Sequence, residues 1–463
     1  MPNDLSYVIS DADKLVAIGA QFYHQGNMDG ARFHYLAALS LNPDHPQALQ
    51  NLGAVLRQMR QYEAAASVSR RSIALTNGDP YCRGNYAVSL LGLRRYGDAK
   101  RVAKDVLKDI PEQGPQWHNY GLICYMTGAY KEALEAFDKS IALGHVNDDI
   151  RSDRSLTLLA LGELAQGLES YECRWAQIRR FPPWEMDIAE WKGEPLAGKS
   201  ILLHHEQGFG DTLMLSRFIL PIVGLGAKVS LAVPSELKRL MAQSFSDATV
   251  YDWDDLATCG VKFDYHSPLL SAMRHYGVKK PDEIPGADWP YLVAKPHKPV
   301  KLPQARFRIG ICWASGNHGP MLMERRRVAS VTQFLPLTEI PNTAVVSLQL
   351  GDNQPDLVHN GLEGLIYDAT FQIDDFADTA AIIHCLDLVI SVDSAVVHLA
   401  AAMGKPTIML SPYTRCWRWW SNRSGWPWYD RMRTFYQSQD GTWGTALEKA
   451  VSTARGDAKS YIG

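Results

Sequence analysis

The chain has 463 residues, 46% of them hydrophobic and 21% charged, with 47 basic against 50 acidic side chains. At about 150 residues per domain there is material for roughly three domains, and the composition excludes a disordered, collagen-like or small disulfide-stapled chain. A net charge of −3 leaves no electrostatic footprint for a nucleic-acid partner. The cysteines lie too far apart for a C-x-x-C zinc or redox pair and are read as reduced thiols. The N-terminus lacks a basic-then-apolar leader, and no uncharged apolar run reaches the ~18 residues of a membrane helix. The expectation is a cytoplasmic protein without a membrane span.

In chain order, the first signal is a repeat. Gly19, Gly53, Ala87, Gly121 and Ser155 recur every 34 residues, and Ala31, Ala65, Ala99, Ala133 and Gly167 keep the same step twelve positions later. A helix-turn-helix hairpin needs small residues where its two helices touch, so two phased series predict stacked hairpins. Trp117, Leu122, Tyr125 and Phe137 occupy further consensus places, and Pro43 and Pro111 stand where helix pairs end. Residues 1–180 therefore resemble tetratricopeptide repeats, about five of them, which stack around a groove able to hold an extended peptide. Two positions before the small residue stand Ala17, Asn51, Asn85, Asn119 and Asp153. The three asparagine amides can grip a peptide backbone; they can equally be ordinary consensus residues.

The stretch 181–199, bounded by prolines and glycines, is read as a linker. From Ser200, β-rich runs (ILLHH, VSLAV, TVYDW) alternate with amphipathic segments, predicting an α/β lobe with parallel strands over 200–300. Pro296, Pro299 and Pro303 mark a hinge, after which RIGICWA, AVVSLQ, DLVISV and PTIMLS predict a second such lobe over 301–463.

Each lobe carries one strand-to-helix junction with chemistry. In the first, HEQGFGDT places Gln207, Gly208 and Gly210 where backbone can approach a substrate, with Asp211 at the start of the helix. Asp211 can accept a proton from a hydroxyl, or simply cap that helix. In the second, VISVDSAVVHLAAAMG brings Asp393, Ser394 and His398 to a helix start whose free N–H groups favour a diphosphate. The bland reading is a cap and a core histidine. Ser315 after the IGICWAS strand, Arg327 in the ERRRV run, and Gln349 at the end of AVVSLQ are further donor-binding candidates. Five tryptophans between 417 and 428 suit an interlobe core, with Arg418 among them the best ligand contact.

Gly210-Asp211 and the Asp393-to-Leu399 helix start resemble the corresponding places of lipopolysaccharide heptosyltransferase-type glycosyltransferases of the GT-B fold. The whole chain is similar to bacterial proteins that join tetratricopeptide repeats to such a domain, and its architecture resembles the O-linked N-acetylglucosamine transferase. The resemblance implies a helical solenoid followed by two Rossmann-like lobes. It implies inverting transfer of a sugar from a nucleotide-sugar donor in the second lobe, with Asp211 as general base and with no cofactor and no metal. A protein acceptor would be recruited by the repeats, and a homo-oligomer is compatible. Ser394-Ala395 stands where that family has Thr-Gly, which keeps an alternative open: a non-catalytic adaptor with a degenerate nucleotide-sugar domain.

Overall fold

The computed structural model describes residues 5–177, 188–256, 260–286, 290–316, 329–420 and 427–462. The chain divides into two compact units, the first holding Met1–Leu161 and the second beginning at Gly162.

The first unit is a tetratricopeptide solenoid. Its helices are α1 (Leu5–His24), α2 (Met28–Leu41), α3 (Pro46–Gln58), α4 (Tyr62–Leu75), α5 (Pro80–Gly92), α6 (Tyr96–Asp109), α7 (Gly114–Met126), α8 (Tyr130–Ala142) and α9 (Asp148–Leu161). Local chemistry starts them: Asn27 accepts from Gly30 N at 2.9 Å, Asp79 accepts from Cys82 N at 3.0 Å, and Pro46 and Pro80 open α3 and α5. The small residues are contact points, because a Cβ on Gly19 would meet the Tyr35 ring at 2.6 Å and one on Gly121 the Phe137 ring at 2.5 Å. Ala31, Ala65, Ala99 and Ala133 are fully buried. The tight turn inside each pair places Gly26, Arg60, Arg94 and Gly128 at φ between 60° and 77°. At Arg60 and Arg94 this left-handed backbone costs about 1 kcal/mol or more relative to glycine. Helices α1, α3, α5, α7 and α9 pack on one another in succession.

The second unit opens with α10 (Leu164–Ser170) and α11 (Arg174–Gln177). Leu164 and Leu168 are buried, and Ala165 N donates to Lys279 O at 3.3 Å. These helices therefore belong to the α/β unit, although the repeat pattern runs on to 180. The first sheet comprises β1 (Ala189–Glu190), β2 (Ser200–His204), β3 (Lys228–Val233), β4 (Thr249–Asp252) and β5 (Tyr265–Pro268), all parallel, in the order β1-β5-β2-β3-β4. Its helices are α12 (Phe209–Leu215), α13 (Ile219–Gly224), α14 (Ser235–Ser244) and α15 (Leu269–His275). The span read as linker thus contributes the edge strand β1 and the buried Trp191. A two-residue strand has no period to read.

The second sheet holds β6 (Phe307–Cys312), β7 (Thr343–Ser347), β8 (Ile366–Asp368), β9 (Leu388–Val392), β10 (Thr407–Ser411) and β11 (Met432–Tyr436) in the parallel order β11-β10-β9-β6-β7-β8. Helices α16 (Asp356–His359), α17 (Phe376–His384), α18 (Ala395–Ala402) and α19 (Gly444–Ile462) complete it. This two-sheet plan is consistent with a GT-B domain. Both sheets reverse direction once: the chain leaves β2 toward β4 and returns to β5, and leaves β6 toward β8 and returns to β9. In open parallel sheets, ligands bind outside the carboxyl ends at such a reversal.

Candidate active site

At the second reversal, β6 is followed by Trp313, Ala314 and Ser315, and β9 by Asp393 and Ser394. Ser394 is the N-cap residue of α18, and its hydroxyl lies 2.8 Å from Ser391 Oγ and 3.9 Å from Cys312 Sγ. Asp393, Ser394 and His398 are all buried. His398 Nδ1 lies 3.0 Å from the Tyr429 hydroxyl, and its ring stacks on Trp419 at 5.3 Å. Gln349, a donor-binding candidate, accepts at Oε1 from Trp313 N at 3.0 Å and Ala314 N at 2.8 Å, and its Nε2 donates to Leu350 O at 2.8 Å. It braces the ends of β6 and β7. Ser315 differs, because its hydroxyl is buried and makes no hydrogen bond among the described residues. Arg327 lies outside the described residues.

At the first reversal, the loop after β2 leads into α12. The residue capping that helix is Gly208, so Asp211 is not the cap but stands one turn into the helix, with Oδ2 accepting from Gly208 N at 3.3 Å. Its other oxygen forms an ion pair with Arg418, which also donates to Gln207 Oε1 at 3.2 Å. Arg418, a candidate ligand contact, here holds the loop. Its guanidinium lies 4.7 Å from the Trp417 ring. Burial alone would lower its pKa, but the Asp211 charge outweighs this and holds it above the ordinary arginine value. Gly210 is required by space: a Cβ there would meet His398 Cδ2 at 2.9 Å and Ala395 Cα at 3.6 Å. α12 therefore rests directly on α18, and Asp211, Gln207, Gly210, Arg418 and His398 converge.

Several residues hold this arrangement through partners that the sequence does not show. Arg217 is fully buried and donates to Trp428 O at 2.7 Å, Met214 O at 2.9 Å and Tyr291 Oη at 3.1 Å, linking the first lobe to the aromatic cluster. Trp417, Trp419, Trp420 and Trp428 are buried, with Trp420 and Trp428 stacked at 5.9 Å, so these tryptophans are core. Arg174 donates to Glu206 Oε2 at 2.8 Å in a buried pair that fastens α11 to the loop after β2. Glu206 also accepts from Leu270 N at 2.7 Å; burial pushes its carboxyl up and Arg174 pulls it back. Burial holds the His204 and His205 imidazoles down at about 3 and about 4. Such residues are scattered along the chain, and nothing short of the tertiary structure pairs them.

In the first unit, Asn51, Asn85 and Asn119 stand at one register of successive helices α3, α5 and α7, each half-buried. Asn51 Oδ1 accepts from Gln47 Nε2 at 3.0 Å. At the next register Asp153 lies 2.9 Å from His118 Nε2. Among the described residues, no group of three or more His, Cys, Asp or Glu side chains is arranged to hold a metal ion, and no helix is long and apolar enough to cross a membrane.

Residues 375–440 match the Glycosyltransferase family 9 (heptosyltransferase) model, and residues 34–66 and 87–145 match tetratricopeptide-repeat models. The matched segment contains Asp393, Ser394, His398 and Arg418; Asp211 lies outside it. Protein FlbA of Caulobacter vibrioides is 26% identical over 500 residues, covering 92% of this chain and 81% of that protein. The type IV pilus assembly protein PilF of Pseudomonas aeruginosa is 24% identical over 133 residues, 28% of this chain and 53% of that one. A crystal structure of a thermophilic tetratricopeptide protein from Thermus thermophilus covers 37% of this chain and 93% of its own, at 22% identity and a TM-score of 0.34. The chain joins tetratricopeptide repeats to a domain similar to Glycosyltransferase family 9.

Proposed function

We propose that this protein transfers a sugar from a nucleotide-sugar donor to a protein acceptor that its repeats recruit. The observation that carries the reading is the coincidence of the family-matched segment with the reversal of the second sheet, where β9 is followed by Asp393-Ser394 opposite the Ser315 hydroxyl, unbonded among the described residues. The donor diphosphate would lie against the start of α18, where peptide N–H groups favour negative charge. Asp211 would take the proton of the attacking hydroxyl in a single displacement that inverts the anomeric carbon. Leaving-group charge would be stabilised by helix and arginine rather than by a metal.

One observation favours the adaptor alternative. Asp211 is engaged on both carboxylate oxygens, by Arg418 and by Gly208 N–H, so a reacting hydroxyl must share or displace one of them. Release of free nucleotide from a panel of sugar nucleotides, with and without candidate acceptor proteins, separates the two. Turnover that survives EDTA supports metal-independent transfer; donor binding without release on any acceptor supports the adaptor; a strict divalent-cation requirement overturns the leaving-group assignment.

A further inference from the structure

We infer that the first lobe carries a second ligand site, a polar cleft suited to a neutral saccharide. The cleft encloses roughly 530 Å3 and is bordered by the last residues of three strands, Glu190 of β1, Pro268 of β5 and His204 of β2. That is where the first sheet reverses, the place at which open parallel sheets hold ligands. Trp175 of α11, Lys192, His266, Arg274 and His275 complete the wall, and none of them belongs to the Asp211–Arg418 cluster.

Its polar groups are mostly uncommitted. Among the described residues, the Glu190 carboxylate, the Lys192 ammonium and the His275 ring nitrogens make no hydrogen bond, and His266 uses only Nδ1, 3.3 Å from His204 Nε2. Among the described residues, Arg274 has only a 3.6 Å side-chain contact with the exposed Glu169. Glu172, by contrast, is spent on Arg174 at 3.0 Å, on the Ser271 hydroxyl at 3.0 Å and on Trp175 Nε1 at 3.1 Å. Those bonds, with the Arg174 guanidinium 4.6 Å from the Trp175 ring, hold the indole in place.

The chemistry selects the ligand class. Counting the Arg174–Glu206 pair behind the wall, Lys192, Arg274 and Arg174 face Glu190, Glu172 and Glu206, so the cleft lacks the surplus of positive charge that a phosphate or nucleotide requires. Burial lowers the pKa of His266 and His275, and a neutral imidazole presents one donor and one acceptor. Sugar hydroxyls also donate and accept at once, and an indole suits the apolar face of a pyranose. The site would hold a glycan independently of the donor.

The test applies the full chain, without any sugar nucleotide, to an array of immobilised mono- and oligosaccharides, and measures affinity for the bound structures by titration. Binding to neutral glycans is expected, weakened about tenfold or more in Glu190→Gln/Lys192→Met and in Arg274→Met, as the loss of charge-assisted hydrogen bonds predicts. Glu190 ends the edge strand β1, Lys192 is exposed in the bend after it and Arg274 is at a helix end, so the variants should melt like the parent. Asp211→Asn should bind unchanged, which separates this site from the transfer chemistry. The inference is overturned if no neutral glycan binds, if both variants bind as the parent does, or if inorganic phosphate displaces the glycan.

Discussion

At the end of β9, polar groups turn inward: Ser394 reaches Ser391, and the brace Gln349 spends its amide on the backbone of its own lobe. At the end of β2 they turn outward across the unit: Asp211 and Gln207 meet Arg418, and Glu206 meets Arg174 of the connector helix. The second junction is thus fixed by its own sheet, whereas the first is fixed by parts of the chain more than 30 and 200 residues away. Parallel strands can preorganise the backbone end of a site; the placement of a charged side chain at its mouth depends on which other charge is delivered to it. A carboxylate held in this way is sensitive to distant changes, and a helix start fixed within its own sheet is less so.

The largest way to break the contrast is Arg174→Met, which leaves Glu206 buried and uncompensated. The expected loss is about 3–5 kcal/mol, read as a lower denaturant midpoint, and Arg174→Met/Glu206→Gln should recover part of it. An unchanged midpoint in the single variant would mean that the pair fastens nothing. Next is Asp211→Asn, for which nucleotide release should fall by ~10²-fold or more. The amide can still accept from Gly208 N–H but leaves the buried Arg418 without its counter-charge, so the melting temperature should fall as well; wild-type turnover would reduce Asp211 to a structural role.

A pH series sharpens the comparison at the first junction. Burial holds His204 at about 3 and His205 at about 4, below the ordinary 6.5, so the unfolded chain binds more protons than the folded chain between those limits. Stability should therefore fall as pH drops below 6.5, by about 1.4 kcal/mol per pH unit for each histidine. Urea midpoints at several pH values measure the slope, and His204→Asn should reduce it by about 1.4 kcal/mol per pH unit.

Gly210→Ala tests the contact between the junctions. The new methyl meets His398 and the α18 backbone, at an expected cost of about 1–3 kcal/mol and with weaker transfer. The smallest effect on stability belongs to the solenoid. Each hydrogen bond is worth roughly 0.5–1.5 kcal/mol, so single Asn→Ala changes at Asn51, Asn85 or Asn119 should be close to silent. The triple variant should melt normally and lose acceptor binding in a calorimetric titration. Retained binding would make the three asparagines packing residues.

The sequence by itself determined the repeats, because a 34-residue period forces the same contact at every turn: Gly19 on Tyr35 and Gly121 on Phe137 follow from one rule. It also determined both alternating lobes and both junctions, since strand, loop and helix start are local patterns. Only the tertiary structure decided what the charged residues at those junctions do. Asp211 read as a helix cap or a base, and its partner Arg418 was legible as a neighbour of tryptophans but not as the holder of a carboxylate some two hundred residues earlier. Arg217 and Arg174 carried no pattern at all, and Glu206 stood in the HEQGFGDT loop with no sign of its partner. Periodicity reports which face of an element is buried; the partner of a buried charge is set by how separate elements come together, and local sequence carries no record of that.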